Sequence, residues 1–369
     1  MRALDLFAGC GGASIGLARA GLDVLADYER DPDACATLAA AGLHPVQCDL
    51  STLDASTLPA VGLWWASPPC QPFSTAGKGA GMDDDRDGYP ILLSLLAAAS
   101  APTWLVIENV RGLLATKHAA YWGAVQAALR AHYPWVDYRV LDAADYGVPQ
   151  HRRRVITVCG PRPIVWPAPT HGEGRLPYVT MREALALGDA RAIGGGRNPG
   201  WHGDVRRYSD LTDRPSTAIN ARPAGNAGPW VEGARPDWWH RASDPDGPSR
   251  TIGSRANASV TINPVDLPSP TVSATEEKGA GARATTEGYR QDGGKLNRAS
   301  CALKVGTGRR RLTVEECLVL QDLAGHPVQG RTKASRYRQA GNAVPPRLAE
   351  VVALAVLASP RETINPRET

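Results

Sequence analysis

The chain has 369 residues and a net charge of +4, and 43% of its residues are hydrophobic and 21% charged. This balance indicates a folded protein with a large core and excludes general disorder. The mild basicity permits a nucleic-acid partner without requiring one. The seven cysteines include no CxxC pair, so neither a disulfide framework nor a metal site is expected. No apolar run reaches the roughly 18 residues of a membrane span, and no signal-peptide pattern begins the chain. We therefore expect a cytoplasmic protein with no membrane contact.

Short apolar runs alternate with alanine-rich helical patterns over the first 160 residues. Strands are predicted at 3–7, 22–26, 46–50, 61–67, 104–108, 138–143 and 154–159, and helices at 13–20, 32–41, 91–100 and 118–133. This alternation predicts an α/β fold with a mainly parallel sheet and helices on both faces.

The composition changes near residue 161. From there to about residue 308, Gly, Pro, Asn, Thr and Arg dominate, which predicts a smaller, β-rich and irregular second domain. Three similar stretches, PSTAINA from Pro215, PSRTIGS from Pro248 and PSPTVSA from Pro268, each predict a turn that leads into a short strand. They are interpreted as independent strand starts, with duplicated small units as the alternative. Helical patterns return at 313–323 and 346–358.

Groups suited to a nucleoside follow the first three predicted strands. The glycine-rich turn DLFAGCGG leads from a strand into a helix, where backbone N–H groups can approach a ligand. Glu29 follows the second strand, where a carboxylate could accept hydrogen bonds from both ribose hydroxyls, and Asp49 follows the third, where it could meet an adenine amino group. Each feature alone is often structural. Their succession along one α/β sheet predicts a nucleoside site.

Candidate catalytic side chains follow the later strands. Cys70 comes after two prolines in SPPCQPFS, which indicates a thiol held at a strand end, as a nucleophile or as a structural residue. Glu108 in WLVIENV is a solvated carboxylate or a buried acid that protonates a ring nitrogen. In QHRRR, Gln150, Arg152 and Arg154 share one strand face. These arginines suit phosphate or substrate oxygens, with a solvated basic face as the alternative.

In chain order, DLFAGCGG, the acid Glu29, CDL, PPCQPFS, ENV, QHRRR, RRLTVEECLVLQ and GNAVPP resemble the motifs of the DNA (cytosine-5)-methyltransferase family. The resemblance extends over essentially the whole chain. It implies a Rossmann-like sheet of the S-adenosylmethionine-dependent methyltransferase type. It also implies a discontinuous catalytic and cofactor-binding domain (1–160 with 324–369), a target-recognition domain (161–308) and a connecting hinge helix (309–323).

The resemblance also assigns the chemistry. Cys70 is implied to add to carbon 6 of a cytosine that has been flipped out of the duplex. Glu108 is implied to protonate or hydrogen-bond N3 of the base and Arg154 to orient the base. Arg152, the fourth implied catalytic residue, is expected to steady the surrounding loop and also the base. Intact Cys70, Glu108 and Arg154 argue against a catalytically silent DNA-binding homologue, and a tRNA cytosine-5 methyltransferase is the other alternative.

The implied cofactor is S-adenosyl-L-methionine, with S-adenosyl-L-homocysteine as product and no metal. By resemblance, its binding residues are Phe7, Ala8, Gly9, Cys10, Gly11 and Gly12 under the methionine part, Glu29 at the ribose, Asp49 and Leu50 at the adenine, Pro69 beside the sulfonium, and Asn342, Ala343 and Val344 closing the pocket.

Double-stranded DNA is the implied partner, bound by a monomer that is bacterial or phage-encoded, with a cognate restriction endonuclease as a possible second partner. The chain departs from the family pattern at three places. Arg30 follows the ribose acid where many members have a bulky apolar residue, Asp87 follows Arg86 where an Arg-Gly pair is common, and QDLAGHP replaces the commoner QGFP.

Overall fold

The structure is a computed structural model that describes residues 1–69, 87–186, 191–193, 215–217, 230–232 and 310–359. The chain divides into two compact units. The first comprises Met1–Ala186, Asp213–Ala227 and Thr313–Thr369, and the second Leu187–Thr212 and Gly228–Leu312. The predicted functional domains, with boundaries at 161 and 309–323, stay predictions.

The first unit contains a seven-stranded sheet. The strands of residues 1–186, of which all but β7 belong to this sheet, are β1 (Arg2–Leu6), β2 (Asp23–Glu29), β3 (Pro45–Gln47), β4 (Leu63–Ala66), β5 (Trp104–Val110), β6 (Trp135–Asp142), β7 (Gln150–His151) and β8 (Arg153–Gly160). The order in the large sheet is β3-β2-β1-β4-β5-β8-β6. Neighbours from β3 to β5 are parallel, whereas β8 is antiparallel to both β5 and β6.

The helices are α1 (Gly12–Arg19), α2 (Pro32–Ala40), α3 (Tyr89–Ala98), α4 (Ala119–His132), α5 (Met181–Leu185), α6 (Val314–Val319), α7 (Lys333–Asn342) and α8 (Pro346–Leu357). Local signals define several of their starts. Asp31 accepts a hydrogen bond from a backbone N–H of the first turn of α2, with Pro32 at its first position. Thr313 and Glu316 form a reciprocal capping box at α6.

Both faces of the sheet are covered by helices. Trp64 and Ile107 pack in a core with residues of α3 and α4. Their neighbours along the strands, Trp65 and Val106, pack on the opposite side with residues of α1 and α8. Alternate strand residues thus face two separate hydrophobic layers, and the predicted α/β fold with helices on both faces is confirmed.

The last helix packs directly against the first. A Cβ atom at Gly16 of α1 would lie 2.2 Å from the carbonyl oxygen of Pro346, so only glycine permits this approach. By length and composition alone, Lys333–Leu357 is the one stretch in the described part of the chain that could cross a membrane. It comprises α7 and α8, and 61% of its most apolar 18-residue window is buried inside the protein, as the core contacts of α8 explain.

The second unit has a three-stranded antiparallel sheet of β9 (Arg191–Ile193), β11 (Trp230–Glu232) and β12 (Arg310–Arg311), in the order β12-β11-β9. A further short strand, β10 (Ser216–Thr217), belongs to the first unit and pairs in parallel with β7. It lies in the first of the three PS stretches, as predicted. The stretches from Pro248 and Pro268 lie outside the described residues.

Two buried carboxylates share one hydroxyl beneath the first strand–helix turn. The Ser14 Oγ atom lies 2.8 Å from the Asp5 carboxylate and also contacts that of Asp27. One hydroxyl proton can be donated to only one carboxylate, so the second contact requires a protonated carboxyl group. Burial raises the pKa of Asp27 too, but less than that of Asp5, because Asp27 also accepts the backbone N–H of His44 at 2.8 Å. Asp5 is therefore the protonated partner, consistent with a pKa that burial, and then repulsion from Asp27, raise well above the usual value.

This raised pKa predicts a pH-dependent stability. Folded Asp5 keeps its proton at a pH where unfolded Asp5 has lost it, so the stabilisation is complete below the unfolded pKa and is lost as the pH rises through the folded pKa. Relative to Asp5→Asn, the free energy of unfolding of the wild type should fall by up to about 1.4 kcal/mol per pH unit above about pH 4. Urea unfolding at several pH values measures this difference.

Asp23→Asn, at the exposed start of β2, is the matched control and should follow the pH dependence of the wild type. Parallel curves for the wild type and Asp5→Asn would show that Asp5 is ionised in the folded protein.

Candidate active site

The glycine-rich turn after β1 adopts backbone conformations that suit glycine. Phe7, Gly9 and Gly11 have φ angles of 60°, 57° and 86°, and Gly11 precedes the first turn of α1. A Cβ atom at Gly12 would lie 2.0 Å from the carbonyl oxygen of Val344. The segment 341–344, called the GNAV segment below, therefore packs directly on this turn. This contact brings together two sets of predicted cofactor residues that are distant in sequence.

The Glu29 carboxylate lies at the carboxyl end of β2, next to this turn. It accepts backbone N–H groups of Gly9, Arg30 and Asp31, each at 2.8 Å. A carboxylate has about four acceptor positions, so these backbone groups leave one, whereas the predicted contact with both ribose hydroxyls needs two. The acid thus holds the glycine turn in place as well as presenting an acceptor.

Asp49 lies beyond β3 and is partly exposed. The side-chain and backbone hydrogen bonds from Ser51, at 2.7 and 2.9 Å, lower the pKa of Asp49. Arg30, one of the departures from the family pattern, lies 3.8 Å from its carboxylate. Leu50 is buried in the layer beside α3 and α4. The guanidinium of Arg30 therefore lies beside the predicted adenine acid.

Cys10 is a second point where the C-terminal segment contacts the turn. Its thiol donates to the carbonyl oxygen of Gln339 at 3.8 Å, and its own carbonyl oxygen accepts from the His326 imidazole at 2.7 Å. Burial raises the pKa of Cys10 to about 12, so this thiol is no thiolate nucleophile at neutral pH. Burial also lowers the pKa of His326. No sequence signal marks His326, which lies in the divergent QDLAGHP stretch.

Glu108 and Arg154 form a buried ion pair at the carboxyl end of β5. The Arg154 Nε atom lies 2.8 Å from Glu108 Oε1, and the two side chains are 14% and 10% exposed. The antiparallel register of β5 and β8, which pairs Val110 with Arg154, places them together. The structure thus joins an acid and a guanidinium that the sequence places 46 residues apart (154 − 108).

The side chain of Arg152 points away from Glu108 and towards the GNAV segment. It is 1% exposed and donates to the carbonyl oxygen of Gly341 at 3.1 Å. Burial lowers the pKa of Arg152. Arg152 therefore stabilises the GNAV segment, whereas Arg154 is the arginine that contacts the candidate acid.

Asn109 was not assigned a role by its sequence pattern, yet it contacts the segment that leads to Cys70. Its amide donates to the carbonyl oxygen of Pro68 at 3.4 Å. The backbone N–H of Gly88 donates to the carbonyl oxygen of Pro69 at 3.0 Å. A Cβ atom at Gly88 would lie 2.6 Å from Pro69. Cys70 itself lies outside the described residues, but Pro69 before it is held at the edge of the sheet near Asn109.

Residue Asp87, another departure from the family pattern, is 6% exposed. Its carboxylate accepts the backbone N–H of Tyr89 at 3.1 Å and the hydroxyl of Tyr121. These contacts hold the start of α3. Within the part of the chain that the structure describes, no group of three His, Cys, Asp or Glu side chains is arranged to hold a metal ion.

Comparison with known proteins assigns this arrangement to a family. Residues 1–183 match the family model described as C-5 cytosine-specific DNA methylase. These residues form a domain of this family. It is 37% identical to the Type II methyltransferase M.AplI of Arthrospira platensis over 44% of this chain and 47% of that one. It is 29% identical to M.NaeI of Lentzea aerocolonigenes over 97% of this chain and 75% of that one.

The chain spans about half the length of the first curated relatives that it matches. Among solved structures, the S. pombe Dnmt2 methyltransferase has a TM-score of 0.60 at 17% identity, covering 97% of this chain and 98% of that one. A putative DNA modification methyltransferase of an E. coli prophage has a TM-score of 0.54 at 19% identity, covering 97% of this chain and 98% of that one. These similarities confirm the predicted Rossmann-like methyltransferase fold. The roles of the individual site residues stay predictions.

Proposed function

We propose that this protein is a DNA cytosine-5 methyltransferase that acts on a flipped-out cytosine in a specific duplex sequence through a covalent Cys70 adduct. The buried Glu108–Arg154 pair is the observation that carries the proposal. It lies at the same sheet edge as Pro69, the residue before Cys70, and Asn109 bonds back to Pro68. An acid and a guanidinium at the edge that holds Pro69, the residue before a cysteine in the sequence, match the needs of cytosine activation.

The cofactor proposed for this site is S-adenosyl-L-methionine, and the residues fit it. The turn at Phe7–Gly12 packs so tightly on Val344 that no side chain could replace the hydrogen of Gly12, and Glu29 keeps an acceptor position beside Gly9. When bound, the cofactor supplies an electrophilic methyl group and leaves as S-adenosyl-L-homocysteine.

The chain's own residues make the cytosine reactive. The Cys70 thiolate forms a bond to carbon 6 of the base while Glu108 protonates or hydrogen-bonds N3, which moves the electron pair to carbon 5. Arg154 holds Glu108 and orients the base, and Arg152 keeps the GNAV segment against the turn. After methylation the carbon-5 proton passes to solvent and its electron pair re-forms the ring double bond as the carbon–sulfur bond breaks. Cys70 is restored as thiolate, and N3 returns its proton to Glu108.

The proposed partner is double-stranded DNA in a bacterial cytoplasm, with residues 161–308 reading the target sequence and the protein acting as a monomer. Several relatives are named Type II methyltransferases, which supports a cognate restriction endonuclease acting at the same site.

Bisulfite sequencing of DNA from cells that express the protein tests the function and reveals its target together. We expect 5-methylcytosine at one recurrent sequence. Purified protein should transfer labelled methyl groups to duplex DNA and not to tRNA. Transfer to tRNA alone would replace the proposal with an RNA methyltransferase, and transfer to neither would indicate a catalytically silent homologue.

A further inference from the structure

One buried carboxylate contacts three consecutive residues of the QHRRR motif. Asp142, the last residue of β6, is 7% exposed. Its Oδ1 atom accepts the backbone N–H of Arg152 at 2.8 Å, and its Oδ2 atom contacts His151 Nδ1 at 3.0 Å and Arg153 Nε at 3.2 Å. The backbone N–H of Ala144 also reaches Oδ1 at 3.3 Å. No motif in the sequence marks this aspartate.

These contacts lie beside two arginines whose side chains point in different directions. Arg152 lies between β7 and β8, and its side chain reaches the Gly341 carbonyl oxygen, whereas that of Arg154, on β8, reaches the Glu108 carboxylate. Their separation depends on the backbone between them, which has a break in its strand at Arg152. Asp142 bonds the backbone N–H at that break. On the other side of the motif, β10 pairs with β7, and Ser216 donates its N–H to the carbonyl oxygen of Pro149 at 3.0 Å.

We propose that Asp142 is a positioning residue for the reaction. Its carboxylate holds the backbone of the motif so that Arg154 meets Glu108 and Arg152 meets the GNAV segment. The inference rests on the proposed function, because Glu108 and Arg154 are assigned to cytosine activation there. Asp142 is not bonded to either of these two side chains and acts through the backbone N–H of Arg152 and the side chains of His151 and Arg153.

The expected effect of removing the Asp142 carboxylate comes from its buried hydrogen bond to the Arg152 N–H. The Arg153 side chain is 59% exposed, so its ion pair with Asp142 contributes little by itself. The N–H of Arg152 is buried and would lose its acceptor if the carboxylate were removed, so the backbone would shift to find another. A shift of about 1 Å in a group that positions a substrate can slow a reaction about 100-fold.

The test compares Asp142→Ala and Asp142→Asn with the matched control Asp137→Asn. Asp137 lies on the same strand, and its carboxylate accepts from Trp166 Nε1 at 2.8 Å, away from the motif. Asn at 142 keeps an oxygen for the Arg152 N–H but places an amide NH2 group before Arg153. We measure the single-turnover rate of methyl transfer per active site, counted by trapping on DNA that contains 5-fluorocytosine, together with the Kd for S-adenosylmethionine.

For Asp142→Ala the rate per trapped site should fall about 10- to 100-fold, with Asp142→Asn between it and the wild type. The Kd should stay within a few-fold for all variants, and Asp137→Asn should match the wild type. A smaller folded fraction with an unchanged rate per site would overturn the inference and leave Asp142 a purely structural residue.

Hydrogen exchange of the amides of residues 150–155 provides a readout independent of activity. It should be faster in Asp142→Ala than in Asp137→Asn. If the wild type methylates no DNA, the proposed function fails, while faster exchange still supports the positioning role. If the exchange is unchanged, the positioning role fails whatever the wild-type activity.

Discussion

Cys70→Ser is expected to abolish methyl transfer to DNA. A serine alkoxide is far more basic than a cysteine thiolate, so the serine hydroxyl stays protonated near neutral pH. The protonated hydroxyl cannot add to carbon 6 of cytosine. Binding of S-adenosylmethionine should stay within a few-fold, because the glycine turn and Glu29 are unchanged. Incorporation of labelled methyl groups into duplex DNA measures the first effect, and calorimetry with the cofactor measures the second.

A covalent trap distinguishes the nucleophile from a structural thiol. DNA with 5-fluorocytosine at the target should form a denaturant-resistant complex with the wild type, since fluorine cannot leave as the proton does, and none with Cys70→Ser. The control is Cys48→Ser, because Cys48 is partly exposed and its backbone N–H, rather than its thiol, bonds to Glu29. Substantial turnover by Cys70→Ser would move the nucleophile to another residue.

The second large effect is expected from Glu108→Gln. The amide has the size of the acid but cannot take up a proton and pass it to N3, and its neutral group leaves the Arg154 guanidinium, which is 14% exposed, without its charged partner. General acid catalysis typically contributes about 10²- to 10⁴-fold, so kcat should fall by a factor in that range. Single-turnover kinetics at saturating DNA and cofactor measures this fall.

Glu350→Gln is the matched control for Glu108→Gln. Glu350 pairs with Arg347 at 3.2 Å one turn away on α8, and Arg347 is half exposed. Removing a pair of this kind changes stability by less than about 1 kcal/mol and should not change kcat. If Glu108→Gln turns over at the wild-type rate, protonation of the base must come from a group other than Glu108.

Periodicity and turn chemistry predict much of the first unit. The alternation of apolar strands and alanine-rich helices is confirmed, because buried strands and amphipathic helices have different spacings of apolar residues. The pattern predicts no helix at α7. The buried residues of α7 are Ser335, Gln339, Ala340 and Gly341, which are small or polar and give no hydrophobic period. Its packing, and not its periodicity, makes it a helix.

The direction of β8 also depends on more than its apolar run. The chain between β6 and β8 has a short 3-10 turn and β7 but no crossover helix. Such a connection returns the chain beside the strand it left, so β8 is antiparallel. This reversal places Arg154 opposite Val110 and beside Glu108.

The sequence by itself determined most of the order of strands and helices in residues 1–160, the position of the glycine turn and the resemblance to the methyltransferase family. These features depend on residues a few positions apart, whose spacing is visible in the chain. Only the tertiary structure decided that His326 contacts Cys10, that Arg152 and Arg154 take different partners, and that Asp142 bonds the backbone between them. Such contacts join segments from 10 to more than 300 residues apart. Their geometry follows from strand order, strand direction and close helix packing, none of which has a local sequence pattern.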